Sequence, residues 1–329
     1  MKLLSISIAA YNVEAYIEDT LKSIVEADCI DDIEILIVDD GSKDRTAEIS
    51  KKYASLYPES IISISKENGG WGSTVNSSIV EASGKYYKLL DGDDRVITNN
   101  LREFIEKLRF CSDDMILTPY VKFYEGTDKS EEVELLKTKI DRSICIEDFE
   151  DYEDICMHGI TIRTELLKKN WLGLREHCLY LDNVFVANCL LCANSIRYFD
   201  LAIYDYRIGR AGQSIDVNSY IKHFDDIEDA SFDVLSLYEN FEGKQKVKKM
   251  IAYRAKAILT TLHVIIYAME CNSSNKKRLI HIDDMVRMKY PEVYKLMQNR
   301  IVKTGRLFHY SLYPFICKMI HYKFKRDYR

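Results

Sequence analysis

The sequence predicts an α/β fold, a mostly parallel sheet with helices on both faces, followed by a helical C-terminal region. Three observations predict it. Apolar, β-branched runs alternate with amphipathic stretches from residue 3 to residue 90. The loops Tyr11-Asn12, Asp39-Asp40-Gly41-Ser42, Asn68-Gly69-Gly70-Trp71 and Asp91-Gly92-Asp93-Asp94 each follow a strand pattern, so a parallel sheet gathers them at one edge. From about Val217 the strand alternation stops and long helical patterns run on, which divides the chain into 1–216 and 217–329.

Residues 3–10 form the first strand, and 13–25 a helix with Ala15, Ile17, Leu21, Ile24 and Val25 near helical spacing. Residues 33–38 are the second strand and 44–57 a helix. Strand 61–65 leads through the glycine loop into a helix over 74–82, and strand 86–90 ends in the acidic turn. Beyond it the pattern gives a helix over 101–110, a strand over 115–123, a charged excursion over 125–141, a strand over 155–162 and a short helix over 165–170. An apolar helix over 184–191 and a last strand over 196–206 follow.

The chain has 329 residues, 47% hydrophobic and 30% charged, the balance of an ordinary globular protein rather than a disordered one. Its net charge of -6 argues against a general nucleic-acid binder. Nine irregularly spaced cysteines read as reduced thiols of a cytoplasmic compartment. Cys189 and Cys192 fall in an apolar helix pattern with no second pair to complete a zinc set, so they read as core thiols. Residues 1–10 run directly into an Asn and an amphipathic helix and read as a first strand, not a signal peptide. No apolar run reaches the length of a bilayer span.

The acidic turn carries the chemistry. Asp91 and Asp93 leave a strand end on one short loop and repel unless a divalent cation or a basic partner lies between them; hard oxygen ligands favour Mg2+ or Mn2+, and a solvated acidic turn is the competing reading. Residues 303–329 hold Lys303, Arg306, Lys318, Lys323, Lys325, Arg326 and Arg329 against Asp327 alone, interleaved with Phe308, Tyr310, Tyr313, Phe315, Tyr322, Phe324 and Tyr328. That composition suits peripheral contact with an anionic membrane from the cytosolic face. The competing reading is a terminal helix packed on its domain with solvated basic residues.

Residues 5–12 (Ser-Ile-Ser-Ile-Ala-Ala-Tyr-Asn), Ile37-Val38-Asp39-Asp40-Gly41-Ser42 with Asp44 and Thr46, and Leu89-Leu90-Asp91-Gly92-Asp93-Asp94 resemble, in order and spacing, three motifs of family 2 glycosyltransferases with the GT-A fold. The resemblance covers about the first 215 residues. It implies transfer of a sugar from a nucleoside diphosphate sugar, with UDP the expected nucleotide, to a saccharide or lipid-linked acceptor hydroxyl with inversion. Polysaccharide or glycolipid biosynthesis is the implied setting. By the same resemblance, Ala10, Tyr11, Asn12, Asp39, Asp40, Asn68, Gly69, Asn76, Asp91 and Gly92 form the nucleotide site. Asp93 and Asp91 form the DxD motif that binds a divalent cation, Mn2+ or Mg2+. Asp182 is the expected catalytic base, although Leu181 stands where the family has Glu, and Glu176 is the reserve. His158, Arg207, Arg210 and Ser214 are expected to contact acceptor or diphosphate. The family's Arg-Asn after the glycines is here Val75-Asn76, so a basic contact is missing.

Other readings fit less well. A sugar nucleotidyltransferase calls for a basic glycine-rich loop after the first strand, where Tyr11-Asn12-Val13-Glu14 stands. A dinucleotide-dependent oxidoreductase needs its glycines there too. A phosphatase carries its nucleophilic Asp-x-Asp on strand one. A non-catalytic nucleotide-sugar-binding protein stays open at this level.

Overall fold

The computed structural model describes residues 2–136, 141–150, 152–210, 213 and 217–327, with side chains through 323. The chain divides into two compact units, residues 1–210 and 211–329.

Unit one begins with β1 (Leu4–Ala10), α1 (Ile17–Val25), β2 (Ile33–Asp39), α2 (Thr46–Leu56), β3 (Ile61–Ser65), α3 (Trp71–Glu81) and β4 (Tyr86–Asp91). It continues with β5 (Arg95–Val96), α4 (Thr98–Phe110), β6 (Met115–Leu117), β7 (Tyr120–Tyr124), β8 (Ser130–Val133), β9 (Ile144–Cys145), β10 (Ile160–Arg163), α5 (Thr164–Asn170), α6 (Asp182–Cys192), β11 (Ser195–Tyr198) and β12 (Tyr204–Ile208). The main sheet runs β3-β2-β1-β4-β10-β6-β11-β9. Its first four strands are parallel, β10 runs antiparallel to both neighbours, and β11 lies parallel to β6.

β2 is buried along its whole length, as a strand covered on both faces must be. Right-handed crossovers explain the layers: moving outward from β1 to β3 puts α1 and α2 on one face, and returning across β1 to β4 puts α3 on the other. The packing agrees, since α1 touches α2 and α4 while α3 touches α5 and α5 touches α6. The strand order reverses between β1 and β4, so the crevice at their carboxyl ends, just past the Ala9–Asp91 pair, is the switch point where such sheets bind ligands.

Local differences from the sequence pattern have physical causes. The expected strand over 115–123 is two strands in different sheets. Pro119 has no amide donor and interrupts the ladder, so β6 stays in the main sheet while β7 joins a second one, ordered β5-β12-β7-β8. The expected strand over 196–206 likewise splits into β11 and β12. Of the expected strand over 155–162, only β10 is a strand, preceded by a 3-10 turn at Met157–Gly159. Helix α1 starts later than its pattern because the Val13 and Glu14 amides donate to Thr46 Oγ1 (2.9 Å) and Asp44 Oδ2 (3.0 Å). The charged excursion contributes β8, which pairs antiparallel with β7, and residues 137–140 lie outside the described residues. Cys189 and Cys192 are buried on α6.

Unit two is helical: α7 (Val217–Lys222), α8 (Phe224–Asn240), α9 (Gln245–Ala268), α10 (Ser273–Lys289), α11 (Pro291–Leu296), α12 (Arg300–Leu307) and α13 (Tyr313–Asp327). All pack on α9. Buried Asp283 of α10 ties three helices together, accepting from Arg306 Nη2 of α12 (2.6 Å) and lying 3.2 Å from His263 Nε2 of α9. Arg306 also donates to the Tyr294 carbonyl (3.0 Å) and stacks on the Tyr294 ring at 3.6 Å.

Burial alone would raise the Asp283 carboxyl, but hydrogen bonds from His263 and Arg306 hold it well below the usual range. A depressed folded pKa gives stability that is present above the unfolded carboxyl pKa, about 4, and lost as pH falls toward the folded value. Asp283→Ala is therefore expected to cost about 3 kcal/mol at neutral pH. Calorimetric unfolding should show the variant losing less stability than the parent below about pH 4.

Candidate functional site

The carboxyl ends of β1 and β2 build one end of the crevice. The Ala10 carbonyl accepts from the Asp40 amide (2.9 Å), so the two strand ends leave together. Asn12, at φ 52°, accepts the Lys43 amide (2.8 Å) and donates its own to Ser42 Oγ (3.0 Å), which leaves the Tyr11 ring exposed. Asp39 accepts the Ser42 amide (3.2 Å). Here opens a groove of about 550 Å³ lined by Tyr11, Gly41, Lys43, Ser65, Lys66, Glu67 and Asn68.

Asp40, also expected at the nucleotide, is engaged within the protein. Its buried carboxylate takes Lys66 Nζ (2.9 Å), the Gly69 amide (2.9 Å), the Gly70 amide (2.7 Å) and Asn68 Nδ2 (3.0 Å). It clamps the glycine loop, and Lys66 supplies a cation at the groove. Gly70 sits at φ 83°, where a side chain would be strained, and α3 starts directly after it. Asn76 is likewise occupied: its amide donates to the Leu174 carbonyl (2.8 Å) and accepts from the Leu174 amide (2.9 Å) and the Trp171 indole (3.0 Å). It holds the loop that precedes α6.

The acidic turn lies across the crevice. Gly92 packs so closely on β1 that a Cβ there would meet the Ala9 carbonyl at 2.9 Å. Asp91 accepts the Trp71 indole N–H (2.9 Å). Burial pushes its carboxyl up to about 7, with the charge of Asp93 adding to the rise. Asp93 pairs with Arg210, and its carbonyl accepts Arg207 Nε (2.7 Å). Asp94 is fully enclosed, taking the Tyr204 hydroxyl (2.6 Å) and the Arg207 amide (2.8 Å). Burial and its two acidic neighbours raise it well above the usual range. Arg207 is thus buried and pins the turn to β12, while Arg210 is the guanidinium that meets a carboxylate of the site.

Asp182 opens α6. It is exposed, yet the surrounding protein raises its pKa by desolvation, and its charge is felt by Asp91 and Tyr206. The loop before it is held against local preference, with His177 at φ 50° and Tyr180 at φ 62°. The His177 amide donates to the Gly69 carbonyl (2.6 Å) and Ser73 Oγ to Glu176 Oε1 (3.1 Å), tying this loop to the glycine loop. Glu176 itself is exposed and faces Ser73.

His158 lies among Tyr120, Tyr204 and Tyr206, with ring centroids 5.0, 4.7 and 4.5 Å away. Burial, with Lys88 and Lys122 adding, lowers its pKa to about 3, and its buried Nδ1 has no hydrogen-bond partner among the described residues. Oxygens of Asp91 and Asp94 and a ring nitrogen of His158 lie within 4.8 Å of one another. Beneath it, buried Lys88 donates to the His158 carbonyl (2.7 Å), and burial lowers its pKa to about 7. Ser214 lies outside the described residues.

Trp71, Lys66, Lys88 and Tyr204 are site residues that motif reading passed over. For Tyr204 and Tyr206 the signal was present, since alternate positions on a strand share a face.

The family model for "Glycosyl transferase family 2" matches residues 5–171. A sequence relative is the "Uncharacterized glycosyltransferase MG060 homolog" of Mycoplasma pneumoniae, 26% identical over 71% of this chain and 78% of the relative. The "Putative glycosyltransferase EpsH" of Bacillus subtilis is 31% identical over 42% of this chain, and the match spans 39% of its own length. Among solved structures, S. aureus TarS 1-349 in complex with UDP-GlcNAc superposes with a TM-score of 0.71, at 20% identity, over 100% of this chain and 92% of that one. At that identity the likeness speaks to the GT-A fold alone.

Proposed function

The chain belongs to glycosyl transferase family 2, and we propose that it moves a hexose from a UDP-linked donor to an acceptor hydroxyl with inversion, on the cytosolic side, in the synthesis of a cell-surface polysaccharide or glycolipid. The observation that carries this reading is the shared crevice. The Tyr11–Asn68 groove and the 91–94 turn stand at the carboxyl edge of the parallel strands, and Asp182 lies near enough to Asp91 for their charges to interact. The UDP assignment is supported by the UDP-GlcNAc that TarS, of the same fold, holds.

In this reading Tyr11 offers its exposed ring to the uracil face, and Asp39 accepts from uracil N3–H or a ribose hydroxyl. Asp91 and Asp93 would hold a divalent cation, and Asp94 and His158 carry ligand atoms within 4.8 Å of one of Asp91. The donor set fits, because hard oxygens crowd one turn so closely that Asp91 resists ionising alone. A cation bound there would supply charge neutralisation for the departing diphosphate. Arg210 shares that task by turning its guanidinium from Asp93 to a phosphate oxygen. Asp182, made more basic by desolvation, takes the acceptor proton from the side opposite the leaving group.

Isothermal titration of the full chain with UDP, GDP and CDP, each with and without Mn2+, tests the donor site. UDP should bind tightest, and at least about 10-fold more tightly with Mn2+ present. Absence of any metal-dependent nucleotide binding would sink the assignment.

A further inference from the structure

Helix α13 has two apolar faces. Tyr313, Ile316, Cys317 and Ile320 are buried on the side that packs on α9. On the opposite side Phe315, Met319 and Tyr322 are 66%, 48% and 71% exposed, and they recur at the i, i+4, i+7 spacing that puts them on one stripe. Lys318 and Lys323, both exposed, flank that stripe. The preceding segment adds Leu307 and Phe308, 74% and 46% exposed. A helix that only packs on its own core needs one apolar face, so the second calls for a partner.

Charge selects the partner. Residues 300–326 contain no Asp or Glu, while Arg300, Lys303, Lys318 and Lys323 are exposed among them. A second copy of the chain docking through this stripe would set lysine against lysine. A soluble polyanion would satisfy the lysines yet leave Phe315, Met319 and Tyr322 in water. The surface of a bilayer rich in acidic lipid takes both, with apolar side chains at the headgroup boundary and ammonium groups among the phosphates. No described helix is long and apolar enough to cross a membrane, which makes the contact peripheral.

We propose that the outer face of α13, through Phe315, Met319, Tyr322, Lys318 and Lys323, docks the protein on an anionic lipid surface. This does not depend on the donor assignment. The test is co-sedimentation of the full chain with vesicles of phosphatidylcholine alone and of phosphatidylcholine with about a third phosphatidylglycerol, with polyglutamate as a soluble competitor. Binding should be at least about 10-fold tighter to the acidic vesicles and should fall with added salt. The triple variant Phe315→Ser/Met319→Ser/Tyr322→Ser and the double variant Lys318→Glu/Lys323→Glu should each weaken it about 10-fold or more, with UDP titration unchanged. If the triple variant also loses UDP binding, it has misfolded and the lysine variant decides. Parent-like vesicle binding by the lysine variant overturns the proposal. So does full displacement by polyglutamate with no effect of the triple variant, which would mark a soluble polyanion site. Concentration-dependent dimerisation without vesicle binding would mark a self-interface and overturn it equally.

Discussion

Asp182→Asn is expected to abolish sugar transfer while leaving metal-dependent UDP binding within about 2-fold of the parent, the split that marks a catalytic base rather than a binding group. The expected loss in kcat is about 10²- to 10⁴-fold. The substitution keeps the volume and the first helical position of α6, so a purely structural role would leave transfer nearly intact. Desolvation raises the Asp182 pKa, and a base must be ionised to act, so kcat should fall as pH drops through that raised value. The residual activity of Asp182→Asn should lose that limb of the profile. Glu176, exposed and turned toward Ser73, gives the control: Glu176→Gln should keep most of the activity. A parent chain that binds UDP-sugar and never turns it over would instead be a nucleotide-sugar-binding protein.

The part of this site legible in the sequence is the part that local chemistry fixes. Alternating apolar runs placed β1 to β4, and their parallel order placed Tyr11, Asp39 and Asp91 at one edge, because each loop follows its own strand. What the sequence could not show is which partners within the protein each carboxylate takes. Asp39 and Asp40 are neighbours on the chain, yet Asp40 is consumed by Lys66 and the amides of Gly69 and Gly70, partners nearly thirty positions away. Asn76, expected at the nucleotide, is held by the Trp171–Leu174 loop, which reaches its amide from about a hundred positions away. Long-range hydrogen bonds of this kind leave no local period. The second sheet was hidden for a related reason: an apolar run says that a strand is buried, not which sheet buries it, and only Pro119 marked the break.

Asp93 and Arg210 predict two effects of opposite sign. Without a bound nucleotide, the guanidinium of Arg210 neutralises Asp93 in a partly buried pair. A divalent cation needs that same carboxylate, so Arg210 competes with the metal as long as the diphosphate is absent. Once the diphosphate is present, it offers the guanidinium a bidentate pair of phosphate oxygens in exchange, and Arg210 changes from competitor to ligand. Arg210→Ala should therefore bind Mn2+ alone more tightly than the parent, while binding UDP in the presence of Mn2+ more weakly, each by about 10-fold. Asp93→Asn removes the shared partner and should lose the metal dependence of UDP binding altogether, with kcat/KM down about 10²-fold or more. Titration of each variant with Mn2+ and then with UDP separates the cases. If Arg210→Ala weakens both steps, or changes neither, the pair only braces the 91–94 turn. Crossed signs, in contrast, follow only from a guanidinium that exchanges a carboxylate for a phosphate as the donor arrives.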